Sequence, residues 1–143
     1  MTELVYRGTD PVDAVATQAL LAGRFSAVWS PPLNRKAVAH AGDRLWLVWQ
    51  AKKAGSVPVL LGVGTVLETP KGKVFWTNAT APGIVGAATK LGYGGPNNMA
   101  FLRLNKPTMM SSRPAVGGLG KVHVGLATAT PEQAKALKAV IDE

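Results

Sequence analysis

The residues best suited to ligand chemistry are four tryptophans, Trp29, Trp46, Trp49 and Trp76, because groups for catalysis are scarce. The 143-residue chain has two histidines and no cysteine, and between Arg24 and Lys121 its only acids are Asp43 and Glu68. Acid–base or nucleophilic catalysis needs a positioned base, acid or activated nucleophile. Ser30, His40 and Asp43 are of the right types for a triad, but no nucleophile-elbow sequence surrounds Ser30. His40 and His123 lack a carboxylate at zinc-ligand spacing. We therefore expect no catalytic residue, no metal and no cofactor, with His40 facing solvent and His123 in a strand between Val122 and Val124. The glycine-rich stretches GYGGPNN (92–98) and VGGLGK (116–121) lack the Walker spacing. They read as turns needing positive φ, or as backbone cradles for phosphate rimmed by Lys90, Arg113 and Lys121.

Each tryptophan has two possible employments, core packing or stacking on an extruded base, the latter worth about 1–3 kcal/mol per base. Trp46 and Trp49 are three apart on one strand, so regular pairing sends them to opposite faces. The following strand carries Gly62 and Gly64 at alternate positions, a smooth floor that a ring, a backbone or a flat ligand can approach. Charge points the same way. Sixteen basic residues against eight acidic leave +8, and thirteen of the basic residues lie from Arg24 to Lys121. A field of that sign attracts polyanions; the plainer reading is solubility.

The elements that position these residues are marked by turn and cap signals. Asp10 as cap, Pro11 at the first position and Asp13 in the first turn predict a helix to Ala22, stopped by Gly23, with Val12, Val15, Ala16, Ala19 and Leu20 on one face. Thr130, Pro131 and Gln133 predict a second helix with a capping box and an apolar stripe of Ala134, Leu137, Val140 and Ile141. Between and before them, strands are expected at Leu4–Arg7, Phe25–Trp29, Arg44–Gln50, Val57–Thr69, Lys73–Asn78, Met99–Asn105 and Lys121–Ala127. Helices only near the ends argue against βαβ units and for a mixed, barrel-like sheet. The length suits one domain, residues 1–143, in which residues 1–23 form a strand and helix packed on the barrel. No signal-peptide pattern and no apolar run of 18 residues is present, so a soluble, cytoplasmic protein without membrane contact is expected.

The order of motifs, a Gly-Asp turn (Gly42, Asp43), an aromatic strand, a reversal at Lys52, Lys53 and Gly55, and a strand with GVGTV (62–66), resembles the PUA-like β-barrel superfamily. Within it the chain is similar to the EVE and YTH branch, whose members bind nucleic acid carrying modified bases. FSAVWS (Phe25 to Ser30) and the ending TPEQAKAL extend the resemblance. It implies an α+β fold with a partly open barrel flanked by N- and C-terminal helices, and a pocket where the first barrel strand meets the next polar loop. Carried onto this chain, that pocket comprises Trp29, Ser30 and Asn34, with Trp49 as a second wall. Arg35 and Lys36 would hold the adjoining phosphates, and Lys52, Lys53, Lys90 and Arg113 extend the backbone-binding set. Pro31, Pro32 and the added helix Pro11–Ala22 depart from the family pattern. The expected function is a non-catalytic module that binds DNA or RNA through a basic face and takes one base, modified or unmodified, into an aromatic pocket. The alternatives are a small-molecule or nucleotide-binding domain with an anionic ligand and, third, an enzyme acting on a nucleic acid or nucleotide, which the missing acid and base groups disfavour.

Overall fold

The computed structural model describes residues 1–29, 39–68 and 99–142. Along the chain come β1 (Glu3–Gly8), α1 (Pro11–Ala22), β2 (Phe25–Trp29), β3 (Arg44–Trp49), β4 (Val59–Glu68), β5 (Met99–Met109), β6 (Gly125–Thr128) and α2 (Pro131–Ile141). The strands form one six-stranded sheet in the order β2-β5-β4-β3-β1-β6. Among the described strands, only β1 and β3 pair in parallel; the other neighbours are antiparallel. The edge strands β2 and β6 curl to within 8 Å of each other at the Cα level, so the sheet is a partly open barrel. β1 is integral to it, between β3 and β6. The expected Lys73–Asn78 strand lies outside the described residues, as does Trp76.

Both faces of the sheet are buried, each under one helix. On the first, Leu4, Tyr6, Leu45, Leu47, Leu61 and Leu104 pack with Ala14 and Leu21 of α1. On the second, Val5, Trp46, Val48 and Leu60 pack with Leu137 of α2 and with Val116, Leu119 and Val122 of the preceding loop. Strand alternation therefore sorts β3 cleanly: odd positions face α1, even positions α2.

Both caps form where the sequence predicts them. Gln133 N–H donates to Thr130 Oγ1 at 3.1 Å while the Thr130 N–H donates to Gln133 Oε1 at 2.9 Å, which closes the capping box of α2. In α1 the Asp13 carboxylate accepts the N–H groups of Thr9 and Asp10, each at 2.9 Å. That task turns Asp13 inward beside Ala14, Ala16, Thr17, Leu20 and Leu21, and it leaves Val15 56% exposed. The expected stripe is thus rotated, because a capping carboxylate and not apolar content sets the buried face. At the C-terminus of α1, Gly23 has φ −89, while Arg24 takes the left-handed turn at φ 66. The final strand also begins later than expected, so His123 lies exposed ahead of β6.

The glycine floor is filled by the chain itself. A Cβ on Gly62 would collide with Leu21 Cδ1 of α1 and stand 2.7 Å from the Thr108 carbonyl oxygen; one on Gly64 would stand 3.1 Å from Pro107 and Leu104. These glycines admit a helix and a bulge, not a flat ligand. Gly62→Ala is expected to cost about 1–3 kcal/mol, since the Thr108 carbonyl belongs to the strand ladder and cannot yield as a side chain can. Urea unfolding of the variant checks this, and unchanged stability would mean α1 does not seat on Gly62.

Candidate functional site

One end of the sheet gathers four of the predicted site residues. Trp49 ends β3 opposite Gly8 and Val59. The 50–56 turn that follows is held by Ser56 Oγ donating to the Ala51 carbonyl at 2.7 Å and Gln50 Nε2 donating to the Ser56 carbonyl at 3.0 Å. Gly55 closes it at φ 81. That turn presents Lys52 and Lys53 to solvent. Arg113 stands at the same end, just past β5, where its Nε donates to Gln18 Oε1 of α1 at 2.9 Å.

Trp49 is half-buried against the α1-side core. Its Nε1 donates to the Asp10 carbonyl at 2.7 Å, tying the end of β3 to the start of α1. Trp46, on the other face as the spacing predicts, is fully buried and donates through Nε1 to Glu3 Oε2 at 2.7 Å. Arg7 completes this end as a half-buried cation: its guanidinium donates to the carbonyls of Gln50, Ala51 and Val122 at 3.1, 3.0 and 2.9 Å. Desolvation lowers its pKa from the usual arginine value.

Trp29 does not share that end. β2 runs opposite to β5 and pairs Trp29 with Met99, whereas Gly62, near the start of β4, pairs with Met109. Ten residues of β5 separate the two levels, roughly 33 Å along a strand. Trp49 is therefore not a second wall for a pocket at Trp29; antiparallel pairing carries the two tryptophans to opposite ends. Ser30, Asn34, Arg35, Lys36 and Lys90 lie outside the described residues.

Asp43 is engaged by backbone donors. Its carboxylate accepts the backbone N–H groups of His40 and Thr2 at 2.9 and 3.1 Å, and so fastens the Gly-Asp turn to the chain's start. His40 is exposed, with Nδ1 3.9 Å from Asp43. Among the described residues no cluster of three or more His, Cys, Asp or Glu could hold a metal ion, and no helix is long and apolar enough to cross a membrane.

Arg44, Asn105, Lys106 and Thr108, which no motif in the sequence singles out, line a groove of about 290 Å³ on the α2 face. A local sign of it is the Lys106-Pro107 pair inside a strand pattern. Proline without a donor N–H marks a bulge or edge in such a position.

No protein-family model and no curated protein matches this chain. Among solved structures, the N-terminal domain of Thermococcus gammatolerans McrB bound to m5C DNA matches it with a TM-score of 0.56 at 9% sequence identity. The match covers 99% of this chain and 98% of that one. The likeness shows a shared fold, an α+β, partly open barrel with helices from both ends of the chain, as the order of motifs implies.

Proposed function

We propose that this chain, as one module, binds DNA or RNA without catalysis, holding the backbone through basic side chains and accepting one base, modified or unmodified, beside Trp29. The observation that carries this reading is the end-to-end fold match to a domain that was solved bound to m5C DNA. The net charge of +8 supports it, since phosphate neutralisation needs such an excess. The resemblance to the EVE and YTH branch assigns the base site to Trp29, Ser30 and Asn34. Lys52, Lys53 and Arg113, displayed together at the opposite end, serve backbone contact, with Arg35, Lys36 and Lys90 completing the set. Trp49, engaged with Asp10, positions the lysine turn.

The test is a titration with single- and double-stranded DNA and RNA, with and without m5C, at two salt concentrations. Affinity is expected to fall with salt at a log–log slope of about −0.9 per phosphate on duplex or −0.7 on single strands. Trp29→Ala should erase any base preference, a loss of about 1–3 kcal/mol on the preferred oligonucleotide, and leave the salt-sensitive remainder. Trp49→Ala should leave the preference in place. Absence of binding to every oligonucleotide at low salt would overturn this reading in favour of a small anionic ligand.

A further inference from the structure

The groove on the α2 face is built by a bulge. Between Thr65↔Asn105 and Val63↔Thr108 the β4–β5 register shifts, leaving Lys106 and Pro107 opposite Gly64 alone. Gly64 makes this possible, because a side chain there would press on Pro107 and Leu104. Lys106 is forced to φ 38, a left-handed conformation that costs a lysine about 1–2 kcal/mol and that glycine or asparagine would accept. Residues held in such conformations gather at functional sites, and this one lifts a cation out of the ladder into the groove.

The groove's lining suits an oxyanion. Lys106 and Arg44 supply charge, Asn105 an amide, Thr65 and Thr108 hydroxyl donors. Glu3 lies 3.8 Å from Arg44 and 3.4 Å from Lys138, whereas no carboxylate of the described residues pairs with Lys106. The cationic strip continues along β5. Arg103, two residues before Asn105 and on the same side of the strand, has its guanidinium 5.5 Å from the centre of the Phe25 ring. Arg24 adjoins it, its carbonyl accepting the Leu104 N–H at 2.8 Å. From Phe25, β2 leads directly to Trp29, four residues on and roughly 13 Å away along the strand.

We infer that the β4–β5 bulge groove is a phosphodiester site, in which Lys106 and Arg44 clamp the backbone of the strand whose base is presented at the Trp29 end. This rests on the functional reading above and adds to it a place and a direction for the bound strand, over the α2 face along β5 toward Trp29. It also ranks the basic residues: Lys106 lies nearer the base site than Lys52, Lys53 or Arg113.

The decisive variant is Lys106→Gly, which removes the charge while relieving the backbone, so the fold is kept and a thermal melt verifies it. Affinity for single-stranded DNA is expected to drop about fivefold at low salt, the size of one unit charge interaction near 4 Å in water. The loss should be equal for m5C and unmodified oligonucleotides, and the salt slope should shrink by about one phosphate. Unchanged affinity and slope, with wild type binding normally, would overturn the groove while leaving the functional reading intact. A loss confined to one base would also overturn it, since it would make Lys106 a base reader. Inorganic phosphate is the second probe. If it stabilises wild type but not Lys106→Gly, and no oligonucleotide binds wild type, the groove is a free-phosphate site, and both this inference and the functional reading are wrong. If wild type responds to neither probe, both are wrong as well.

Discussion

Trp46→Ala is expected to lower the unfolding free energy by about 3–5 kcal/mol, the cost of emptying a large aromatic site in a packed core. Trp46 is 0% exposed and stands at the centre of the α2-side core, between Val5, Val48 and Leu60 of the sheet and Leu137 of the helix. Removing the indole also takes away the donor 2.7 Å from Glu3 Oε2 and the ring beneath Arg44, whose guanidinium carbon is 5.8 Å from its centre. Glu3 keeps Arg44 and Lys138, so the carboxylate is not left alone. The cavity is then the larger part of the loss. Trp46→Phe isolates the rest: it retains most of the volume, drops the hydrogen bond, and is expected to cost about 1–2 kcal/mol. Urea unfolding followed by far-UV circular dichroism measures both. If Trp46→Ala were as mild as Trp46→Phe, the indole would not be what seats α2 on the sheet.

The contrast between Trp46 and Trp49 shows what the sequence could and could not convey. An odd spacing on a strand sends two side chains to opposite faces, and that is local information. The helix ends were equally readable, since Thr130-Pro131 with Gln133, and Asp10-Pro11 with Asp13, carry their own hydrogen-bond chemistry. What was hidden depends on partners distant in sequence. The parallel pairing of β1 with β3 joins residues some forty positions apart, and nothing within either strand announces it. The directions of β2 and β3 decide that Trp29 and Trp49 lie at opposite ends. They follow from β5, the strand between β2 and β4, and not from either tryptophan's neighbourhood. Gly62 and Gly64 are places of close approach, as their alternate spacing implies, but the approaching groups are Leu21 and Pro107, which only the tertiary fold supplies. Lys106 was hidden for the same reason, its conformation being set by a register shift against Gly64.

Arg7→Leu is expected to cost about 3 kcal/mol, because each hydrogen bond from a charged donor is worth about 1.5–3 kcal/mol and partial hydration of the freed carbonyls returns part of it. One guanidinium spans three carbonyls from two segments: Gln50 and Ala51 at the start of the lysine turn, and Val122 ahead of β6. Its planar fork does this in a way that a single ammonium cannot, so Arg7→Lys should recover less than half of the loss even though it keeps the charge. Full recovery by lysine would show that charge alone, and not the fork, is needed there. The effect should also be local before it is global. With the clamp gone, amides of residues 50–56 and 121–124 are expected to exchange faster with solvent while the strand interiors of β3 and β4 stay protected. Because the same turn displays Lys52 and Lys53, loosening it separates positioning from charge. If those lysines hold a nucleic-acid backbone, Arg7→Leu should weaken binding to every oligonucleotide by a similar factor, with the salt slope unchanged because both cations remain. A base preference carried by Trp29, at the far end of the sheet, should survive. A variant that lost preference but kept overall affinity would place base reading at the Arg7 end, and with it would return Trp49 to the pocket.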